Sequence, residues 1–542
     1  MKSSKITLIN LATDKVRHVQ GRIGMLMEYA PDSEVASLYP DVISLDKLLG
    51  KQEITNQLAC ELTKKILLGE PEFRGVPQLS VFQEQVSWEL NKIYRSLHLY
   101  NFLLQENIDV CEFVSESYWG HELEKIVKLL DAKMTIVSPK KLQKKRYARI
   151  FKRLLTSRFS KESIKIEINN ALDQLHPFRK RNAFKRKTKP YQKNKTWFYT
   201  TAVTFTNIGL YYECCLSEPL NYLVENELAG GKPLHHMRRP FHSLYQFSRD
   251  NDAPTTSEIN HVKRSIINHI NQVKLNSSEE LVRTLFIKSD WFSTFTAKLL
   301  PKGLFFSALF KNWVETVKPS AVIVGNLAFE GYALYQAKKH KIPSILLQHG
   351  TLGDTYTYFD HPVNYYIVRG QFWSEQLSTA SQQRSLVVNP VNLVKQNTQK
   401  KNSIVFLTIP FEMREMPIGV DFDSVIKMVL TAMIGSKKKL IIRVHPLERI
   451  EDYRNKIASF IGNDEPVEIE YDQHTAIQKL LNISLAVIML RSTVFLDCIQ
   501  HEVPIISFDW HDHWFKKKIS QHGVFYFAKN LKDLCKIKYA ML

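Results

Sequence analysis

The sequence lacks the features that define several classes of protein. Its six cysteines have no paired metal-ligand spacing, and no secretory signal precedes the first strand-like run at residues 6–11. No uncharged apolar stretch reaches the roughly 18 residues that cross a bilayer. We therefore expect a cytoplasmic protein that contacts the inner face of a membrane peripherally, if at all. With 542 residues, 44% of them hydrophobic, the chain is expected to form more than one folded domain.

Acidic residues are nearly missing from one segment, 140–195, which contains 20 Lys and Arg against three acids. Most of the formal net charge of +20 therefore lies there. Around residues 147–155 an apolar helical stripe is flanked by basic side chains, as in helices that lie on an anionic membrane. A helix packed on its own domain or a solvated loop would give the same pattern. Nucleic acid is a less favoured partner, because the segment has no recognised nucleic-acid module.

Apolar strand-like runs alternate with helical segments, and this alternation predicts an α/β fold with parallel sheets. The clearest unit is 319–351, in which two apolar runs flank a helical segment. A fresh series of strands begins near the middle of the second half. We predict two Rossmann-like doubly wound domains that face a cleft. The predicted domains are residues 1–395, with a basic helical insert at 140–197 and a helical segment at 255–315, and residues 403–542.

Polar residues follow the strands of the unit at 319–351, where ligands of parallel sheets bind. His349 could take a proton from an attacking hydroxyl, because Gly350 lets the backbone turn sharply and expose the imidazole. Glu330, at the start of the intervening helix, is a second candidate base. Either residue could instead be structural. The other candidates for the cleft or for acceptor binding are Asn326, Gln348, Gly350 and Thr351.

Two strand ends in the second series carry candidate phosphate ligands. At one of them, Arg443 can hold phosphate by paired hydrogen bonds, His445 can donate to a phosphate oxygen, and Pro446 stiffens the turn. A histidine that caps the next helix would explain the same residues. At 489–497 an apolar strand ends in hydroxyls that open a helix, which suits either phosphate or an ordinary cap. The donor-binding candidates at this second end are Arg491, Ser492, Thr493 and Asp497. Asp497, about one turn into the helix, could reach ribose hydroxyls, or it could be a carboxylate that favours the helix dipole.

Together these motifs resemble those of the GT-B glycosyltransferases of bacterial surface and capsular polysaccharide synthesis, over about residues 315–530. That group has a Q-H-G or W-H-G-T loop, an R-x-H-P motif, and an S-[ST] helix start followed by an acid. The matching residues are Gln348 to Thr351, Arg443 to Pro446, and Ser492, Thr493 and Asp497. The His-Gly-Thr and His-Pro pair is also similar to CDP-glycerol glycerophosphotransferases. In those enzymes the first histidine is regarded as the base, and the second contacts phosphate.

The resemblance implies a metal-independent transferase with no cofactor beyond its nucleotide-activated donor. A nucleotide sugar would bind at the two strand ends of the second domain, while His349 or Glu330 would deprotonate a glycan or lipid-linked acceptor. Two D-x-D patterns, at 250–252 and 421–423, follow no convincing buried strand, so we predict no metal site. Residues 235–242, rich in His and Arg, could bind an anionic acceptor or, less favourably, a metal. A non-catalytic protein that binds nucleic acid or membrane is the remaining alternative.

Overall fold

The structure is a computed structural model that describes part of the chain. The described residues are 5–9, 22–25, 43–44, 52–113, 118–130, 133–137, 195–202, 220–226, 241–325, 330–348, 359, 361–368, 370–387, 402–408, 422–434, 436, 438–445, 448–460, 467–473, 475, 477–489, 492, 494–507, 525–528 and 534. The chain divides into two compact units. Unit 1 comprises residues 1–52, 96–140 and 389–542, and unit 2 comprises residues 53–95 and 141–388.

The elements alternate between strands and helices along the chain. The strands are β1 (Lys5–Ile9), β2 (Arg22–Met25), β3 (Ile43–Ser44), β4 (Glu72–Phe73), β5 (Val76–Pro77), β6 (Val110–Phe113), β7 (Thr135–Val137), β8 (Thr196–Ala202), β9 (Asn221–Asn226), β10 (Phe241–Ser243), β11 (Ala321–Val324), β12 (Ser344–Leu347), β13 (Tyr365–Val368), β14 (Ser385–Val387), β15 (Ser403–Leu407), β16 (Lys439–Arg443), β17 (Ile469–Asp472), β18 (Ser484–Met489), β19 (Ile505–Ser507) and β20 (Phe525–Phe527). The helices are α1 (Gln52–Leu67), α2 (Gln83–Gln105), α3 (Tyr118–Leu129), α4 (Thr256–Gln272), α5 (Ser277–Ile287), α6 (Asp290–Thr294), α7 (Leu300–Val317), α8 (Glu330–Lys339), α9 (Gln371–Ser374), α10 (Thr379–Gln382), α11 (Phe422–Met433), α12 (Ile450–Ala458), α13 (Ile477–Ile483) and α14 (Phe495–Gln500).

Unit 2 is built on a sheet of seven parallel strands, the central sheet, in the order β10-β9-β8-β11-β12-β13-β14. The chain adds β9 and β10 on one side of β8 and later strands on the other, which is the doubly wound order. Trp197, Phe198 and Tyr199 of β8 are each 0% exposed. Burial on both faces is typical of a central strand, so Trp197, predicted as the last residue of the basic insert at 140–197, belongs instead to the core of the central sheet. The predicted helical segment at 255–315 is observed as α4 to α7.

A short hairpin of unit 2, β4–β5, packs beside these helices and was not predicted. Its tight turn places Arg74 and Gly75 at positive φ. The Arg74 guanidinium donates two hydrogen bonds of 2.7 Å to the two carboxylate oxygens of Glu258 on α4. Just beyond the hairpin, the buried Gln78 donates to the Ser307 hydroxyl of α7 at 3.1 Å. The segment around the hairpin is therefore tied by polar side chains to two helices distant in sequence.

Unit 1 contains two further parallel sheets. The N-terminal sheet has five strands in the order β3-β2-β1-β6-β7, and the C-terminal sheet has six in the order β17-β16-β15-β18-β19-β20. The predicted second series of strands is present as the C-terminal sheet, in which the apolar runs at 404–407, 440–444, 485–489 and 504–508 correspond to β15, β16, β18 and β19. Side chains of β15, β16 and β18 share one apolar core with α11 and α12. Burial of these β-branched and aliphatic side chains holds the sheet rigid beneath its carboxyl edge.

The predicted α/β class with parallel, doubly wound sheets is confirmed. The predicted boundary between residues 395 and 403 stays a prediction. The described strands of residues 1–395 form two separate parallel sheets and the β4–β5 hairpin. Local sequence patterns do not predict this division into sheets, because strand pairing joins segments far apart in the chain. Residues 140–194 of the predicted basic insert lie outside the described residues. Within the described part, no helix has both the length and the apolar character needed to span a bilayer.

Candidate functional site

The candidate site lies at the carboxyl edge of the C-terminal sheet, where the order of the strands predicts a ligand-binding crevice. The sheet is extended from β15 in opposite directions, through β16 on one side and β18 on the other. Ligands of doubly wound sheets bind outside the carboxyl ends of the strands at this reversal. Leu407 of β15 pairs with Arg443 of β16, so neighbouring strands end at about the same height. Three polar residues follow these strand ends, namely Thr408, His445 and Ser492.

His445 is half-buried and its backbone is held on both sides. Its N–H donates to the Thr408 hydroxyl at 2.8 Å. Its carbonyl oxygen accepts from the Gln473 side-chain amide at 3.0 Å and from the Glu448 N–H at 2.9 Å. The turn that follows β16 is therefore fixed to β15 and to the residue after β17. The structure places this predicted phosphate ligand just beyond the carboxyl end of β16.

Arg443 of β16 faces the neighbouring strand β17, not β15. Its guanidinium forms an ion pair with Asp472 of β17, which borders β16 on the side away from β15. Burial raises the pKa of Asp472, but hydrogen bonds from Thr475 and the charge of Arg443 outweigh burial and hold that pKa below its ordinary value. The prediction grouped Arg443 with Ser492 at one phosphate. The observed ion pair instead favours a structural role for Arg443, joining two strands of the sheet.

Ser492 follows β18, on the opposite side of β15 from His445. Its hydroxyl oxygen accepts a hydrogen bond from the Val494 N–H at 3.3 Å, which closes a local turn just before the helix, since the N-cap of α14 is Val494 itself. A hydroxyl that accepts one hydrogen bond can still donate its proton. α14 has six residues, and Asp497 is half-buried in its first turn. Since β16 and β18 are two strand spacings apart, their axes are separated by about 10 Å.

Two predicted residues of unit 2 are buried. Glu330, the first residue of α8, is 1% exposed. A Cβ on the adjacent Gly331 would lie 3.1 Å from Val81 Cγ1, so the chain around Val81 packs directly on the start of α8. Gln348, which follows β12, is 2% exposed, and its N–H donates to the Ile367 carbonyl at 2.9 Å. A base must reach the acceptor hydroxyl, so the burial of Glu330 disfavours it for that role.

Two weaker candidates from the sequence have structural roles. His242 is 4% exposed, and its ring centroid lies 5.2 Å from that of Trp197, so it belongs to the core rather than to an acceptor surface. Asp252 of the D-x-D pattern accepts hydrogen bonds from the Asn312 side-chain amide at 2.8 Å and from the Arg249 N–H at 2.5 Å. Seven predicted site residues lie outside the described residues: Asn326, His349, Gly350, Thr351, Pro446, Arg491 and Thr493.

Sequence reasoning missed the polar residues that support the His445 turn. Thr408 directly follows the buried run 404–407, so the strand-end rule applied to the other candidates could have found it. Glu448 and Gln473 carry no such signal. Their connection to His445 exists only because β15, β16 and β17 are neighbours in the sheet.

Comparisons with known proteins give likeness of fold at low identity. No family model matches the sequence, and no curated protein sequence matches it. Among solved structures, the chain is similar to UDP-GlcNAc 2-epimerase from Methanocaldococcus jannaschii, with 12% identity and a TM-score of 0.38 over 65% of this chain and 93% of that one. It is similar to UDP-GlcNAc 2-epimerase from Neisseria meningitidis bound to UDP-GlcNAc, with 11% identity and a TM-score of 0.38 over 64% and 91%. It is also similar to the lipopolysaccharide outer core galactosyltransferase WaaB, with 12% identity and a TM-score of 0.33 over 63% and 88%. At these identities and TM-scores, the likeness does not carry an activity to this chain.

Proposed function

We propose that this protein is a nucleotide-sugar-dependent glycosyltransferase of bacterial surface or capsular polysaccharide synthesis. The observation that carries the proposal is the pair His445 and Ser492, which flank β15 at the carboxyl edge where the C-terminal sheet reverses direction. The imidazole of His445 and the hydroxyl of Ser492, on opposite sides of one strand, would contact the phosphate of the bound nucleotide from two sides. Both can donate hydrogen bonds to phosphate oxygens.

The reaction is a direct displacement. An acceptor hydroxyl attacks the anomeric carbon of the donor, a new C–O bond forms, and the bond from that carbon to the nucleotide phosphate breaks. The phosphate leaves with the bonding electron pair, and donors at His445 and Ser492 stabilise its charge. The acceptor proton passes to a base. We assign this role to His349, because Glu330 is 1% exposed.

Binding of nucleotide tests the proposal directly. A ligand that binds the folded protein raises its melting temperature, and a hundredfold excess over Kd contributes about 2.7 kcal/mol. UDP, CDP or CMP should stabilise the wild type, and His445→Ala should abolish the shift. His501→Ala is the matched control, because His501 follows the C-terminal end of α14 and its ring bonds Asn482. Equal stabilisation of the wild type and His445→Ala would refute the site.

Turnover separates the proposal from its nearest alternative. The wild type would be incubated with UDP-sugars, CMP-sugars and CDP-glycerol, together with a crude glycan acceptor, and released nucleotide would be measured. Nucleotide release with a sugar donor supports glycosyl transfer. Release with CDP-glycerol alone would replace the proposal with glycerophosphate transfer at the same site.

A further inference from the structure

A connected group of polar side chains lies beneath the His445 turn, and we call it the turn cluster: Thr408, Glu448, Tyr453 and Gln473. Thr408 is 5% exposed at the end of β15. Its hydroxyl oxygen accepts the N–H of His445 at 2.8 Å and donates its proton to Glu448 Oε2 at 2.7 Å. One hydroxyl therefore links the backbone of the candidate phosphate ligand to a carboxylate three residues further along.

Two other elements complete the turn cluster. The hydroxyl of Tyr453, which is 3% exposed on α12, donates to the same Glu448 oxygen at 2.8 Å. The Gln473 amide, just after β17, donates to the carbonyl of His445 at 3.0 Å and to that of Glu448 at 2.8 Å. The ends of β15 and β17 and the first turn of α12 therefore converge on the four-residue turn that begins at His445.

The chemistry of these contacts indicates a role beyond closing a turn. A buried polar group adds little to net stability, but a fully satisfied network fixes one geometry, because any displacement leaves a desolvated donor or acceptor unmatched. Here the backbone N–H and the carbonyl of His445 are both held by side chains from neighbouring strands. The direction in which its side chain leaves the sheet edge is then set by the network. A shift of about 1 Å in such a group costs up to a hundredfold in function.

We infer that Thr408 and Glu448 are positioning residues that fix the His445 backbone so that its imidazole meets the phosphate of the nucleotide donor. The inference rests on the proposed function and deepens it. We propose no contact between either residue and the nucleotide, because the Thr408 hydroxyl already accepts from His445 and donates to Glu448.

Paired substitutions at each position test this role. Thr408→Val keeps the shape of the side chain and removes the hydroxyl, whereas Thr408→Ser restores it. Glu448→Leu removes the acceptor, whereas Glu448→Gln keeps an oxygen that accepts from both hydroxyls. The probe is UDP, CDP or CMP, whichever stabilises the wild type, with Kd measured by calorimetry. Thr408→Val and Glu448→Leu should weaken nucleotide binding by about tenfold to a hundredfold. Thr408→Ser and Glu448→Gln should bind nucleotide with a Kd within about threefold of the wild type.

A control distinguishes positioning from general loss of stability. Ser484 begins β18 at the opposite edge of the same sheet, is 0% exposed, and donates to the Leu480 carbonyl at 2.5 Å. Ser484→Ala should lower the melting temperature and leave the nucleotide Kd unchanged. Hydrogen exchange of a peptide that spans residues 440–448, measured without nucleotide, should be faster in Thr408→Val than in the wild type or Thr408→Ser.

The outcomes separate the two proposals. A wild type that binds none of the nucleotides defeats the proposed function, and the inference about donor positioning then falls with it. A wild type that binds nucleotide while Thr408→Val binds with the same Kd overturns the positioning role alone. Equal losses of affinity in Thr408→Val and Ser484→Ala would also overturn it, because both would then report general stability.

Discussion

Glu70 in unit 2 should make the stability of the protein fall as pH rises toward neutrality. Glu70 is 8% exposed, and its carboxyl group accepts hydrogen bonds from the Leu79 N–H at 2.6 Å and from the N–H and hydroxyl of Ser80 at 2.8 and 2.6 Å. Burial raises the pKa of Glu70 from 4.5 to about 7, and these hydrogen bonds only partly oppose that rise. The folded state therefore holds a proton in a range where the unfolded state has lost it.

The sign and size follow from proton linkage. Between pH 4.5 and about 7 the folded state binds more protons at Glu70 than the unfolded state, so the free energy of unfolding falls as pH rises. A shift of this size corresponds to about 3 kcal/mol over the whole window. Below pH 4.5 and above pH 7 this group contributes no further pH dependence.

His361, also in unit 2, acts in the opposite direction. Burial, and then the charge of Arg384, lower the pKa of His361 from 6.5 to about 3. Its neutral form is favoured in the folded state, so the stability it contributes is complete above pH 6.5 and is lost as pH falls toward 3. Between pH 4.5 and 6.5 the two groups oppose each other, and the wild type should show little net slope from them.

The difference between wild type and Glu70→Gln isolates the carboxyl group. Urea unfolding followed by tryptophan fluorescence reports on unit 2, because Trp197, Trp313 and Trp373 are buried there. The unfolding free energy of Glu70→Gln minus that of the wild type should increase by about 3 kcal/mol from pH 4.5 to 7.5. Glu61→Gln, at an exposed residue of α1, is the matched control for the change of Glu to Gln. A flat difference for Glu70→Gln would refute the assigned ionisation.

Two further outcomes are expected. Gly303→Ala should destabilise the protein by about 1–3 kcal/mol, because the new Cβ would lie 1.9 Å from Tyr332 Oη inside the buried face of α7. Gly69→Ala is the control and should cost less, because a Cβ at Gly69 has no atom within 4 Å and only the positive φ of +73° opposes it. Equal melting temperatures for the two variants would contradict this packing. His349→Ala should keep nucleotide-induced stabilisation and lower turnover by about 10² or more, as measured by nucleotide release; unchanged turnover would return the role of base to another residue.

Local patterns predicted most of the elements that surround the candidate site. The apolar runs at 321–324, 404–407 and 485–489 are strands because β-branched and aliphatic residues buried on both faces of a parallel sheet leave an uninterrupted hydrophobic signal. The helix boundary between α5 and α6 was missed. The prediction gave one helical segment at 255–315 without this boundary, whereas Ser289 caps a new helix by accepting the Phe292 N–H at 3.1 Å.

Local sequence patterns did not predict the order of the strands in the sheets. The sequence placed residues 110–114 and 321–324 in one domain, and the structure places them in different sheets. Pairing is chosen by the packing of all the strands and helices together, which a single segment does not reveal.

Arg443 shows, for one side chain, what the sequence predicts and what depends on strand pairing. Its position at a strand end, and the chemistry of guanidinium with phosphate, were both evident from the sequence. Which partner it meets depends on the strand beside it, and β17 supplies Asp472.

The sequence by itself determined the α/β class, the main strands and helices, and the presence of polar residues at the carboxyl ends of β16 and β18. These follow from side-chain periodicity along short stretches of chain. Only the tertiary structure decided that Arg443 faces Asp472, that Glu330 is buried, and that Thr408, Glu448 and Gln473 hold the His445 turn. The physical reason is that a hydrogen bond or ion pair depends on two groups within about 3 Å of each other, and the strands and turns that bring these groups together are far apart in the chain.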